Sequence, residues 1–510
     1  MRRVQLIFIV VVMALLLLPS LGMLWARSDT TTELRTLAPF PSLRGDGTPN
    51  ISVASQFGLW FDDHFAYRNE AIATNALLRY RLFGTSASSQ VLVGKNGWLY
   101  YAGTLADYRG LAPMSERALF NAAHNMALFQ RFSEAQGADF LFTICPNKNT
   151  LYPQNMPTNC WPSQQPSNSQ RLALYLDELE VNYLDMAAVL AAVAPPAASA
   201  ATPASAATPA SAATPASAAT PPANLTDGPR EWYFARDTHW NAAGAYQGYE
   251  ALAANLGLLY PLAGEWERRE NHVGDLDQML FGVAATPEAD WHLSGITDGP
   301  DPAGTGWSYE GGQPDAQTNR IVTAGQGSAT LVIYHDSFGN GLLPYLAFGS
   351  KTAVFSKLVP YNALEVSDVR VSCVVVERAE RHLYDLAAAP PIVPCPSVAL
   401  DTDSATRPLD GSGSAINTLE KGANGPLVTF SGVVDPAWLT TTSRVYVALV
   451  DEAGAETVFE SLTFSPEETD ADNGYLAYLS PEALPEGQYA VNVYVESPSG
   501  LVLAHSESFR

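Results

Sequence analysis

Cysteine is scarce. The 510 residues contain only Cys145, Cys160, Cys373 and Cys395, and no two of them stand in a Cys-x-x-Cys pair. That excludes a zinc knuckle and a thioredoxin-type redox centre. Basic residues are also few, 28 Lys+Arg against 52 Asp+Glu, for a formal net charge of -24. Such a surface repels phosphate backbones, so nucleic acid is not an expected partner. Also missing is the Gly-x-Ser-x-Gly elbow of the α/β-hydrolases: the serine of interest below sits in His335-Asp-Ser-Phe-Gly339.

One long apolar run opens the chain. Arg2 and Arg3 precede Val4 to Trp25, which carries no charge. Roughly 20 such residues span a bilayer, and a basic flank stays inside. Residues 1–27 are therefore expected to be a retained single-pass membrane anchor, with everything after Arg27 extracytoplasmic, periplasmic or at the cell surface. A cleaved signal peptide, ending near Ser20-Leu-Gly22, is the rival reading. Either way the body lies outside the cytosol, where an even number of cysteines suggests disulfides. Of three possible pairings, proximity favours Cys145–Cys160 with Cys373–Cys395.

Residues 28–54 read as a polar stalk, followed by a helical, aromatic-rich stretch from Phe57 to Arg81. His64 within it reads as a packed or surface histidine. Val91–Tyr101 reads as a β-hairpin turning at Lys95-Asn-Gly97. Helix and strand patterns then alternate: a helix over Ser115–Gln136, a strand over Ala138–Ile144, a helix near Gln170–Leu179 and a short strand at Val181–Leu184. A helix over Ala242–Leu256 follows, then strands at Ala329–Tyr334, Thr352–Phe355 and Val371–Val376. The fold class is α/β, a mostly parallel sheet with helices on both faces over residues 55–400. A low-complexity insertion at 195–224 repeats Ala-Ser-Ala-Ala-Thr-Pro. Its prolines forbid a continuous helix and its small side chains build no core. Residues 401–425 read as a linker, and 426–510 as a β-sandwich of alternating strands, a carbohydrate-binding or spacer module.

The chemistry-bearing residues fall in two blocks. Asp237 and His239 stand two apart in Arg236-Asp-Thr-His-Trp-Asn241, so in extended backbone both would address one site. Ser337 follows the apolar strand Ala329–Tyr334, at the carboxyl edge where ligands of parallel sheets sit. A serine hydroxyl becomes a nucleophile when an imidazole takes its proton, and an acid fixes that imidazole's tautomer. Ser337, His239 and Asp237 can fill these roles. His335 reads as a space-filling or turn-bonding residue. A metal hydrolase built on Asp237, His239 and His335 is a minor alternative.

Five blocks in fixed order carry a resemblance: Val93-Gly-Lys-Asn-Gly-Trp-Leu-Tyr100, Pro146-Asn-Lys-Asn-Thr-Leu-Tyr-Pro153, Arg236–Asn241, His335–Gly339 and Val374-Val-Val-Glu-Arg-Ala-Glu-Arg381. The chain resembles the alginate O-acetyltransferase family (AlgX/AlgJ type) over roughly residues 55–390. That resemblance implies an SGNH-hydrolase-like domain that moves acetyl groups onto exopolysaccharide hydroxyls. Ser337 would be nucleophile, His239 general base and Asp237 its orienting acid. The acetyl donor would come from a membrane-bound acetyl-exporting partner, and no cofactor is implied. Arg236, Trp240, Lys148 and Arg378 are candidate substrate contacts, with Arg381 a further basic group for the groove. An O-acetylesterase and a non-catalytic scaffold of a polysaccharide export complex are the competing readings.

Overall fold

The computed structural model describes residues 2–25, 37–45, 48–193, 231–257, 260, 262, 264–301, 305–315, 317–367, 370–406, 417–466 and 471–510. The expected insertion at 195–224, residues 28–36 of the expected stalk, and 407–416 of the expected linker lie outside the described residues.

The central sheet has seven strands: β1 (Asp139–Cys145), β2 (Tyr183–Asp185), β3 (Ser308–Tyr309), β4 (Arg320–Ala324), β5 (Thr330–Tyr334), β6 (Thr352–Ser356) and β7 (Cys373–Ala379). Their order is β2-β1-β7-β5-β6-β4-β3. Neighbours from β2 through β6 run parallel, while β4 is antiparallel to β6 and β3 antiparallel to β4. The parallel part was legible because its strands are apolar on both faces. Leu331 and Ile333 enter one buried cluster, and Val332 and Tyr334 enter the other. The antiparallel edge was not read, since β3 is two residues long and β4 carries mixed burial.

Helices cover both faces. Beyond α1 (Arg2–Gly22), these include α2 (Glu116–Ala135), α3 (Asn168–Glu178), α4 (Met186–Val193), α5 (Ala242–Asn255), α6 (Asp275–Phe281), α7 (Gly339–Gly349) and α8 (Leu383–Ala388). α2 starts where its serine predicts: the Ser115 hydroxyl accepts the Ala118 N–H at 2.9 Å. α2, α3 and α8 pack on the face of Val332, and α4, α5 and α7 on the face of Ile333.

Two expectations need correction. All four cysteines are free thiols. Cys145 pairs with Ala379 and Cys373 with Asp139 in the β1–β7 register, so these two lie at opposite ends of their strands. Cys395 belongs to the core of the C-terminal region, and the Cys160 thiol faces Asn159 Oδ1 at 3.8 Å. The second concerns the N-terminus. The apolar run does form a helix, α1, and Val4, Leu6, Ile7 and Phe8 on it are exposed. Among the described residues, however, no helix is long and apolar enough to cross a membrane.

The C-terminal region is sheet-rich. A five-stranded sheet (Ser397–Val398, Glu456–Glu460, Val445–Val450, Tyr489–Ser497, Gly500–Phe509) faces a four-stranded one (Glu420–Asn424, Leu427–Val433, Gly474–Leu479, Leu462–Phe464). Phe430 and Tyr475 from one sheet and Val447 and Val493 from the other share a buried core. This region is not a loosely tethered appendage. α2 is buried between it and the central sheet, and polar side chains of α2 make the junction. Asn125 exchanges two hydrogen bonds with Thr463, at 2.8 and 3.1 Å. Arg117 donates to the Thr441 and Ser443 carbonyls.

Glu460 anchors the junction, accepting from His124 Nε2 at 2.9 Å, Arg131 at 3.0 Å and Arg444 at 3.1 Å. Burial favours the neutral form of Glu460, but hydrogen bonding to His124 and the two guanidinium charges hold its pKa down to about 2. His124 is itself pushed below its usual value by burial. We therefore read a neutral ring donating its Nε2–H, with Arg131 and Arg444 supplying the charge. A depressed carboxylate contributes stability above its ordinary value of 4.5 that is lost as pH falls through about 2. Glu460→Gln is expected to cost about 3 kcal/mol at neutral pH. In denaturant melts across that acid window, the variant should lose less stability with falling pH than the wild type.

Candidate active site

The site forms where the turn after β5 meets the loop 231–241. Both are fixed by buried polar contacts. An isolated bridge pairs Tyr233 with Trp240, and the Asn241 N–H donates to Trp232 O at 2.9 Å, closing the loop on itself. Asn241 then caps α5, its Oδ1 accepting the Gly244 N–H at 2.9 Å. Ala235 O accepts the Leu99 N–H at 2.9 Å, but the Phe234 and Asp237 carbonyls of the loop interior depend on Lys148. Its buried Nζ donates to the carbonyls of Phe234 (3.2 Å), Ala235 (3.1 Å) and Asp237 (2.6 Å). Lys148 is held in turn by its own segment. Glu380 accepts from Asn147 N–H at 2.7 Å and from Thr150 Oγ1 at 2.5 Å, and Tyr233 O–H donates to Pro146 O at 2.5 Å.

Within this frame Ser337 Oγ lies 2.9 Å from His239 Nε2, and His239 Nδ1 lies 2.8 Å from Asp237 Oδ1. The backbone at Asp237 and His239 is a bent loop, not the extended strand expected from their spacing. The two side chains meet because Asp237 Oδ1 also accepts the His239 N–H at 2.9 Å, folding the segment around the carboxylate. Asp237 is buried, and burial alone would raise its pKa. Hydrogen bonds from His239 and His272 and the Asp275 N–H overcome that and hold it far below the usual carboxylate range.

The candidate substrate contacts behave differently from one another. Lys148 is buried under the loop and committed to three carbonyls. Arg378 is buried and paired with Asp385, its Nη1 also reaching the Tyr361 hydroxyl at 3.4 Å. Arg236 pairs with the buried Asp277. Trp240 is buried, and its indole N–H donates to Phe338 O at 3.1 Å, tying the Asp/His loop to the serine turn. Arg381 is the cation that reaches the centre. Its Nη2 lies 3.3 Å from Ser337 Oγ, and its guanidinium lies 5.0 Å from the Phe338 ring centroid. A small cleft lined by Tyr101, Asn147, Lys148, Thr238 and Arg381 opens beside it.

His335 is buried. Its Nδ1 faces the Asp336 carbonyl at 2.7 Å, and burial pushes its pKa down to about 4. It is a neutral turn residue, remote from the hydrogen-bonded chain through His239. Asp237, His239 and Asp275 are close enough to offer ligand atoms to one cation. Both oxygens of each carboxylate are already engaged, however. Asp275 accepts from Thr238 N–H and from Leu276 N–H through Oδ1, and from the Thr238 hydroxyl through Oδ2. The donor set fits a hydrogen-bonded acid better than a metal cradle.

Sequence reasoning missed a whole supporting element. A β-hairpin, Trp266–His272 with Glu288–Leu293, and α6 between its strands clasp the loop 231–241 from outside. Glu288 accepts the N–H groups of Ala235 (2.9 Å) and Arg236 (3.0 Å). Gly274 packs so closely that a Cβ there would lie 2.2 Å from the Arg236 carbonyl. The hairpin strand Trp266-Glu-Arg-Arg-Glu-Asn-His272 is polar and exposed, so no apolar alternation announced it.

This geometry defines an SGNH-like α/β domain with a Ser–His–Asp hydrogen-bonded chain at the carboxyl edge of its sheet. Residues 91–200 match the family model described as SGNH hydrolase-like domain, acetyltransferase AlgX. The resemblance to the alginate O-acetyltransferase family is thus borne out over that stretch, and Asp237, His239 and Ser337 lie beyond it. The chain is also 24% identical over 270 residues to a probable alginate O-acetylase AlgJ of Pseudomonas syringae pv. tomato, a match covering 52% of this chain and 56% of that protein. The chain therefore spans just over half the length of that relative. Solved structures show more distant likenesses. Bacillus cereus PatB1 matches at 16% identity and TM-score 0.39, covering 57% of this chain and 96% of that one. The O-acetyltransferase domain of Pseudomonas putida AlgJ matches at 14% identity and TM-score 0.34, covering 57% and 91%. Pseudomonas aeruginosa AlgX matches at 11% identity and TM-score 0.33, covering 81% and 94%. Overall likeness this low fixes nothing about activity.

Lys148 offers a direct check of how the loop is held. Replacing it by Met leaves the Phe234 and Asp237 carbonyls without their donor, which is expected to cost about 2–4 kcal/mol. The expected result is a lower denaturation midpoint together with faster amide exchange in 231–241.

Proposed function

We propose that this chain is an O-acetyltransferase that carries acetyl on Ser337 and passes it to hydroxyls of an extracytoplasmic, alginate-like polysaccharide. The continuous chain Ser337 Oγ–His239 Nε2, His239 Nδ1–Asp237 Oδ1, at 2.9 and 2.8 Å, carries this reading. In the first half-reaction His239 takes the Ser337 proton as Oγ attacks the donor's acetyl carbonyl. The tetrahedral intermediate collapses to acetyl-Ser337, and His239 returns its proton to the leaving group. In the second, His239 takes the proton of a sugar hydroxyl as that oxygen attacks the acetyl ester, and then gives it back to Ser337. Asp237 keeps the imidazole in the tautomer that presents Nε2 to serine, and balances the imidazolium charge. The N-terminus of α7 and the guanidinium of Arg381 supply positive charge beside the oxyanion. Arg381 also gives an otherwise acidic protein a local cation facing a polyuronate acceptor.

The acetyl donor would be a membrane-bound acetyl-exporting protein. The C-terminal sheet region, docked through α2, would hold polymer or act as a spacer.

Intact-mass analysis after exposure to a chromogenic acetyl ester tests the reading. The wild type should gain one acetyl group and lose it faster to an acceptor polysaccharide than to water. Ser337→Ala should gain none and turn over roughly 10⁴-fold more slowly. Discharge to water unaffected by acceptor would make the chain an esterase, and absence of any adduct would favour the scaffold.

A further inference from the structure

We propose that His272 is a positioning residue that holds the Asp237 carboxylate in the orientation that keeps Oδ1 on His239. The inference rests on the Ser337–His239–Asp237 reading above. A catalytic acid presents two carboxylate oxygens, and only Oδ1 of Asp237 serves His239. Oδ2 accepts the Nε2–H of His272 at 3.0 Å and the Asp275 N–H at 2.9 Å. His272 ends the hairpin strand Trp266–His272, so it reaches the acid from an element separate from the loop that carries Asp237 and His239.

Its ring is fixed from the other side as well. It lies flat on Phe234, with centroids 3.7 Å apart and planes 8° from parallel. Phe234 sits three residues before Asp237 in the same loop, so stack and hydrogen bond together leave the ring little freedom to turn away. The charged groups that face His272 are Asp237 from the loop, and Asp290 and Glu288 from the hairpin's second strand. All three are acidic, which favours the imidazole as a donor.

A carboxylate can turn about its Cβ–Cγ bond, and a donor on the far oxygen stops that turn. With Oδ2 held by the His272 and Asp275 N–H groups, Oδ1 stays aimed at His239 Nδ1. Removing the His272 donor should therefore slow the chemical step while leaving ester binding unchanged.

Two substitutions separate the hydrogen bond from the stack. His272→Phe keeps an aromatic ring on Phe234 and loses the donor; His272→Gln keeps an N–H near the Nε2 position and loses the stack. Full-length protein would be assayed with a chromogenic acetyl ester over a range of ester concentrations, with thermal melts alongside. We expect H272F to lose roughly tenfold to hundredfold in kcat, the size of one charge-assisted hydrogen bond, with KM within about twofold. H272Q should recover most of that kcat. A variant that had only unfolded would show a lowered melting temperature and no such split between kcat and KM. The proposal is overturned if H272F keeps wild-type kcat, or if H272Q falls as far as H272F. A wild type that shows no turnover, or a Ser337→Ala variant that keeps it, would remove the acetyl-transfer reading itself; an active, Ser337-dependent enzyme indifferent to His272 would remove this inference alone.

Discussion

A buried ammonium ion underlies the candidate site. Lys148 sits beneath the loop 231–241 with its three donors aimed at three carbonyls. Desolvation drags its pKa to about 7, against the pull of Asp237, Glu288, Asp275 and Glu231. Ala235 O also accepts the Leu99 N–H at 2.9 Å, but the Phe234 and Asp237 carbonyls lie in an irregular segment where no ladder or helix satisfies them. A lysine is suited to this task because three N–H donors on one nitrogen can serve carbonyls converging from different directions. The loop in turn presents Asp237 and His239 to Ser337. Glu380 and Tyr233 hold the segment bearing Lys148, so the chain of dependence runs from one buried acid, through one buried cation, to the hydrogen-bonded centre.

The centre is enclosed from several sides. The sheet supplies Ser337 at the end of β5, the loop supplies His239 and Asp237, and the hairpin Trp266–His272/Glu288–Leu293 secures the loop from outside. Trp240 joins the first two through Phe338. Residues that looked like substrate contacts because they are basic turn out to hold these pieces together. Arg236 and Arg378 have carboxylate partners, and Lys148 has its carbonyls. Arg381 differs in reaching the Ser337 hydroxyl.

A second polar junction governs the arrangement of the whole molecule. The stretch of α2 from Arg117 to Phe129 is buried throughout, although Arg117, Asn121, His124 and Asn125 lie on it. A helix with polar residues at buried positions signals a second surface that answers them. Here it is the C-terminal sheet region, through Glu460, Thr463, Ser443 and Asp472. Read as sequence, the helix showed only an apolar periodicity, and the region beyond residue 400 looked like a separate module.

Read in one dimension, the chain already marks the parallel strands, the helices between them, the residues Ser337, His239 and Asp237, and the resemblance to AlgX/AlgJ-type acetyltransferases. All of these are local or ordered along the chain: apolar runs, capping residues and short motifs survive being read in one dimension. The free state of the cysteines was set by folding, which puts Cys373 in the central sheet and Cys395 in the core of the C-terminal region. Folding also decided which basic residues are structural, and brought His272 and Arg381 to the centre from 35 residues beyond Asp237 and 44 beyond Ser337. The physical reason is the same in each case. A hydrogen bond or ion pair depends on distances of a few ångströms between groups whose separation along the chain carries no periodic signal, and folding alone sets those distances.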